Sequence, residues 1–172
     1  MFSSFIDCLQ EKNYITETPV SAYHNTPCDN CTVTLIDMQE IKTKYSQTTG
    51  EATPPTVNGL VLDENGRLYF VELSQYYVNQ EQFSKRYLTD GGDDYIRQKI
   101  EGTIEVLKSV NAMHNCDDEL DGKVDDVKAI VVTEMSDADY VPFRLGFSVE
   151  LGITSRNEVG ILNCEKFSEI FG

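Results

Sequence analysis

Residues 57–75, Val57-Asn58-Gly59-Leu60-Val61-Leu62-Asp63-Glu64-Asn65-Gly66-Arg67-Leu68-Tyr69-Phe70-Val71-Glu72-Leu73-Ser74-Gln75, read as two hydrophobic strands joined by a tight turn. Asn65-Gly66 is a strong hairpin signal, because both residues tolerate the positive φ that a type I′ turn demands. Leu60-Val61-Leu62 and Leu68-Tyr69-Phe70-Val71 are continuous apolar runs, the pattern of strands covered on both sheet faces. With a side-chain period of two, Glu72 and Ser74 follow Leu68 and Phe70 on one side of their strand. A carboxylate thus ends a run otherwise committed to the core, and a half-buried Glu needs a partner, a metal or solvent at the strand end.

Outward from the hairpin, the apolar positions Phe2, Phe5, Ile6 and Leu9 predict a short first helix over residues 2–13. Residues 16–31 form a polar connection punctuated by Pro19 and Pro27, with Cys28 and Cys31 at its end. Thr32-Val33-Thr34-Leu35-Ile36 is β-branched, and the run on to Tyr45 is read as its continuation as strand, although periodicity there does not separate strand from helix. Ser46 to Pro55 reads as a loop. Beyond the hairpin, Gln80 to Leu88 permits a helix that Asp90-Gly91-Gly92 ends. From Asp93 to about Ala112, Ile96, Ile100, Ile104, Leu107 and Val110 recur at threes and fours, with Asp93 and Asp94 at the favourable N-terminal end of the longest helix. An acidic loop over 114–126, a strand from Val127 to Val132, a helix within 143–153, a short strand Val159 to Leu162 and a helix from Glu165 to Phe171 complete the order. The helical crossover from Ser74 to Val127 is what parallel neighbours require, so the expected fold is α/β, three layers with a central mixed β-sheet flanked by helices, in one domain spanning 1–172.

The chain carries 14 Lys and Arg against 29 Asp and Glu, a formal charge of −15. That field repels polyphosphate and disfavours non-specific nucleic-acid binding, and it favours a basic protein partner through steering. No apolar run approaches the ~20 residues that span a bilayer. The opening Met1-Phe2-Ser3-Ser4-Phe5 lacks the features of a secretory signal, so a cytoplasmic location is expected. Five scattered cysteines, Cys8, Cys28, Cys31, Cys116 and Cys164, suggest reduced thiols rather than a disulfide framework.

A helix, a hairpin whose second strand reads Leu68-Tyr69-Phe70-Val71-Glu72-Leu73, and a long helix after it resemble the restriction-endonuclease-like superfamily, the PD-(D/E)xK nucleases. The resemblance covers roughly residues 30–135. It implies a nuclease-like core in which the first hairpin strand carries an Asp, the second ends in Glu-x-Lys, the two acids bind a divalent metal, and the Lys supports the attacking water. In this chain the Glu falls on Glu72, the Lys on Ser74 and the Asp on Asn58. A neutral amide at Asn58 is a poorer ligand for Mg²⁺ or Mn²⁺, and Ser74 supplies no cation to orient the nucleophile or offset charge on phosphorus oxygens. The resemblance therefore implies a catalytically impaired, degenerate nuclease that acts by protein interaction, as an accessory or inhibitory subunit. An active nuclease with a rearranged site at Glu72 is the alternative, with Lys99, Gln98 or Gln75 standing in for the Lys and Asp37, Glu40, Glu51 or Asp63 for the second acid. A third reading is an acidic binding module unrelated to nucleic acid.

Other patterns weigh less. His24, Cys28 and Cys31 have ligand-like spacing that His114 or Cys116 could complete, but a single Cys-x-x-Cys is half of a strong zinc signal, and free thiols are the preferred reading. Asp117 to Asp125 imitates the start of an EF-hand loop, yet the twelfth position is Lys128, so a solvated acidic loop is preferred to a calcium site. Tyr69, Tyr76, Tyr77 and Tyr87 could stack bases beside a basic groove, but with only Arg67, Lys85 and Arg86 near them, packing explains them better.

Overall fold

The computed structural model describes residues 1–87, 95–139 and 159–172. A helix α1 (Ser3–Glu11) buries Phe5 and Leu9, and the chain turns back at Asn13, whose φ of 61° is left-handed. Strand β1 (Glu17–Pro19) and a short 3₁₀ turn lie within the stretch expected to be only a polar connection. Strand β2 (Thr34–Asp37) passes directly into helix α2 (Met38–Thr49). The run to Tyr45 is thus helix, not continued strand, and the helix also takes in Ser46 to Thr49. Asp37 causes the switch: its carboxylate accepts the N–H groups of Gln39 and Glu40, satisfying amides that a helix start leaves open. Gly50, in the left-handed region, ends the helix.

Strands β3 (Gly59–Leu62) and β4 (Leu68–Leu73) form the expected hairpin. Its turn is not type I′. Only Gly66 takes a positive φ, 75°; the Gly66 N–H donates to Asp63 O, and the Asp63 side chain accepts the N–H groups of Asn65 and Arg67. This is the longer hairpin connection with glycine at the left-handed position, held together by an aspartate at its first corner. Helices α3 (Gln80–Tyr87) and α4 (Tyr95–His114) follow, then a one-turn helix α5 (Leu120–Val124) inside the segment expected to be a plain acidic loop. Strands β5 (Lys128–Thr133) and β6 (Val159–Asn163) and helix α6 (Cys164–Phe171) close the chain. Asp93, Asp94 and the helix expected within 143–153 lie outside the described residues.

Among the described residues, six strands lie side by side in sequence order, antiparallel from β1 to β4 and parallel from β4 to β6. The expected α/β fold with a mixed sheet and a helical crossover into a parallel strand is what the structure holds. Strand parity divides the core into two layers. Leu60, Leu68, Phe70, Ala129 and Val131 face α1, α2, α3, α4 and α5, whereas Val61, Val71, Ile130 and Val132 face Phe167 of α6 and the segment around Val20, Cys28 and Cys31. No helix among the described residues is long and apolar enough to cross a membrane.

The cysteines depart from expectation. Cys8 is joined to Cys116 and Cys28 to Cys164, and Cys31 alone is a free, buried thiol. The first bond ties α1 to the end of α4, and the second ties the 20–33 segment to α6. Pairing across more than 100 residues depends on tertiary approach, which spacing along the chain does not reveal.

Candidate functional site

Glu72 follows Leu68 and Phe70 on the face covered by α4, and it is buried, with 1% of its surface exposed. The apolar positions Ile96, Ile100, Val106, Leu107 and Val110 turn one stripe of α4 onto that face. Lys99 sits at the edge of the stripe, and its Nζ comes within 2.6 Å of Glu72 Oε2. The other carboxylate oxygen, Oε1, has no hydrogen-bond partner among the described residues. Burial pushes the Glu72 carboxyl above its usual range, opposed by the charges of Lys99 and Arg86. Burial also works against the Lys99 charge, but Glu72 outweighs it and leaves the ammonium held more firmly than usual. Lys42 of α2 is pushed the other way, first by burial and then by the Lys99 charge.

Continuing the β3–β4 register by one pair beyond Gly59 and Val71 sets Asn58 opposite Glu72. Asn58 Oδ1 accepts the Leu73 N–H at 2.8 Å, and its main-chain O accepts the Met38 N–H at 3.1 Å. The amide at the position of the missing acid is therefore a structural fastener that prolongs the hairpin ladder with a side-chain oxygen. Helix α4 fixes the same corner. Thr103 Oγ1 donates to Lys99 O at 2.7 Å and accepts the Val57 N–H at 3.0 Å, so one hydroxyl links the turn that carries Lys99 to the residue before Asn58.

Ser74 is buried beside Tyr87, and its N–H donates to Val132 O, extending the parallel pairing by one residue. The Tyr87 hydroxyl is held neutral well above its ordinary range, first by burial and then by the Glu72 charge. The Tyr95 ring meets two cations, with Arg86 Cζ at 4.2 Å and Lys99 Nζ at 4.7 Å from its centre. An open cleft of about 400 Å³ adjoins this group, lined by Asn79, Glu81, Gln82, Lys85, Arg86 and Tyr95. Glu134, at the end of β5, accepts the N–H groups of Tyr76 and Tyr77 and pins the loop after β4.

Of the residues singled out from sequence, the structure gathers Glu72, Asn58, Ser74 and Lys99. Gln98 neighbours Lys99 in sequence but is exposed, and Gln75 turns to the opposite side, its side chain reaching Thr26 O. The proposed second acids are elsewhere. Asp37 shares the face of Leu35 and Tyr23, across the sheet from Glu72, and caps α2. Glu40 is exposed, Glu51 accepts from the Tyr45 hydroxyl, and Asp63 organises the turn at the other end of the hairpin. Spacing did not single out Tyr87 and Arg86 as companions of Glu72, or Tyr95 and Lys42 as companions of Lys99, since each comes from a helix whose placement is a tertiary matter.

The residues around Glu72 do not fit a Mg²⁺ or Mn²⁺ ion. Such ions need several hard oxygen ligands, and here one carboxylate already has an ammonium against it while the facing amide oxygen is committed to the backbone. Among the described residues, no group of three or more His, Cys, Asp or Glu is placed to hold a metal. The suggested zinc ligands are not assembled as thiolates, because Cys28 and Cys116 are each bonded to a different cysteine and His114 meets the Tyr14 hydroxyl at 2.9 Å. What the Glu72 cluster offers chemically is a buried carboxylate paired with a half-buried ammonium, with the Tyr95 ring against the ammonium and the Tyr87 hydroxyl close by. Scans against family models, curated proteins and solved structures each return no significant match to this chain.

Proposed function

We propose that this chain is a catalytically impaired protein of nuclease-like fold that acts by protein interaction, as an accessory or inhibitory subunit. The observation that carries the reading is the closure of the Glu72 position. Its carboxylate is buried against Lys99, and Asn58, facing it, is spent on the Leu73 N–H. The order helix, hairpin, long helix and parallel strand supports the nuclease-like part of the proposal. The net charge of −15 supports a basic protein partner over nucleic acid. On this reading residues 1–172 form one domain that needs no metal.

A second reading has its own observation. Lys99 reaches Glu72 from α4, as a lysine moved from position 74 would, and this supports a nuclease with a rearranged site, in which Mg²⁺ or Mn²⁺ would have to displace the ammonium from Glu72. One experiment separates the two. Purified protein is offered plasmid, linear and single-stranded DNA and RNA in Mg²⁺ and in Mn²⁺, with Glu72→Ala and Lys99→Ala as controls. The first reading expects no cutting by folded wild-type protein. Cutting that disappears in both variants overturns it in favour of the second. An acidic binding module with no nucleic-acid connection gives the same null result, and differs in having no affinity for a nuclease or a nucleic-acid-bound complex.

A cytoplasmic location belongs to this proposal only if the sulfur pairs open there, since reducing compartments keep thiols apart. Blocking thiols at the moment of cell lysis, then counting the blocked cysteines, decides the point. Five blocked residues fit the cytoplasm and one fits an oxidising compartment.

A further inference from the structure

Cys28 is bonded to one cysteine and lies one turn away from a second. Cys164, on α6, forms the observed disulfide, with a Cα–Cα distance of 5.6 Å. Cys31 stands across a tight turn closed by the Cys31 N–H donating to Cys28 O at 3.3 Å. Turns of this kind bring their end Cα atoms within about 7 Å. A disulfide spans about 4.4–6.8 Å, a range that overlaps the span of such a turn. Cys31 keeps its thiol, and that sulfur accepts a hydrogen bond from Ser168 Oγ at 3.3 Å. Ser168 is one helical turn beyond Cys164, so α6 presents the bonded sulfur and the donor to the free sulfur from neighbouring positions. Cys164 Sγ in turn lies 3.4 Å from the carbonyl oxygens of both Pro27 and Thr133.

We propose that this corner is an internal thiol–disulfide exchange site in which Cys28 alternates between Cys164 and Cys31. Cys31 gives its proton to solvent and attacks Cys28 Sγ as the thiolate. The Cys31–Cys28 bond forms as the Cys28–Cys164 bond breaks, and Cys164 leaves as a thiolate that takes up a proton. One disulfide and one thiol are present before and after, so no outside oxidant or reductant is consumed. The Ser168 hydroxyl stabilises the attacking sulfur, and the two carbonyl oxygens stand ready to accept the S–H of the released Cys164.

The exchange has a structural consequence. It removes the covalent tie between the 20–33 segment and α6, leaving Phe167 and its neighbours to hold the helix on the sheet. It also moves the free thiol from Cys31, which is 4% exposed, to Cys164, which is half-buried. The chain would then offer a thiol to small disulfides such as oxidised glutathione only in the exchanged form.

The test uses the oxidised full-length protein, held in neutral or mildly alkaline buffer, quenched with acid, alkylated with N-ethylmaleimide and mapped by peptide mass spectrometry without reduction. The expected result is label on Cys164 that grows with pH at the expense of Cys31, together with a peptide closed by a Cys28–Cys31 bond, while Cys8 and Cys116 stay unlabelled. Cys31→Ser should abolish labelling of Cys164, and Ser168→Ala should slow its appearance several-fold in protein whose circular dichroism is unchanged. Label confined to Cys31 at every pH in folded protein overturns the proposal. So does label on Cys164 that persists in Cys31→Ser, which would mark reduction from outside.

Discussion

At Glu72 the energetics turn on which partner is removed. Two buried charges in contact add little over an apolar pair of the same shape, but an unpaired buried carboxylate is costly. Lys99→Met should therefore destabilise the protein by about 3–5 kcal/mol in urea titrations at neutral pH. Adding Glu72→Gln to that variant should restore much of the loss, and a double variant as unstable as Lys99→Met alone would show that the two side chains are not coupled. The pH dependence has a definite sign. A carboxyl whose pKa is raised on folding favours the folded state while protonated, and that contribution is lost as pH rises from the ordinary carboxylate range through the folded value. The Lys99→Met defect should thus shrink in mildly acidic buffer. Tyr23 and Tyr87 supply a second residue-scale test. Burial raises both, helped by the charges of Asp37 and Glu72 respectively. Above about pH 10 the unfolded chain releases protons that the folded one retains, so stability falls as pH rises. Tyrosinate absorbance should show a component that ionises only together with alkaline unfolding and that shrinks in Tyr23→Phe and in Tyr87→Phe.

Among the elements, α4 shows how closely helix and loop are fitted. A Cβ built on Gly102 would stand 1.9 Å from Pro55 O, so the helix backbone rests directly on the loop leading into β3. Gly102→Ala must push that loop away, loosening the Thr103 to Val57 hydrogen bond and the Asn58 corner with it. A loss of about 1–3 kcal/mol is expected, the usual cost of overpacking. Gly122, in the exposed part of α5, meets nothing within 4 Å, and Gly122→Ala should instead raise stability by up to about 1 kcal/mol through helix propensity. Thermal melts of the two variants shifting in opposite directions would confirm that contact, not composition, sets the requirement at Gly102. The same contrast explains what was legible in sequence. The hairpin, α4 and β5 are long, regular apolar patterns and could be placed from periodicity. Helix α2 could not, because residues 38–45 fit either period until Asp37 is recognised as a cap. The short β1 and α5 carry too few residues for any pattern.

For the molecule as a whole, the two disulfides close loops of 108 and 136 residues around the sheet. Each should contribute about 2–4 kcal/mol, chiefly by restricting the unfolded chain. The double variant Cys8→Ser with Cys116→Ser should melt lower without change of fold, and equal melting temperatures for this variant and wild type would mean that the bond is absent in solution. Sequence by itself determined the α/β class, the central hairpin, the helical crossover into a parallel strand, the strong negative charge and Glu72 as the polar end of an apolar run. Each of these is written in local periodicity or composition. Tertiary structure alone decided that Lys99 neutralises Glu72, that Asn58 fastens Leu73, that Asp37 lies across the sheet from both, and that four cysteines pair. Those outcomes depend on the distance and facing of residues far apart in the chain, which pattern along the sequence does not encode.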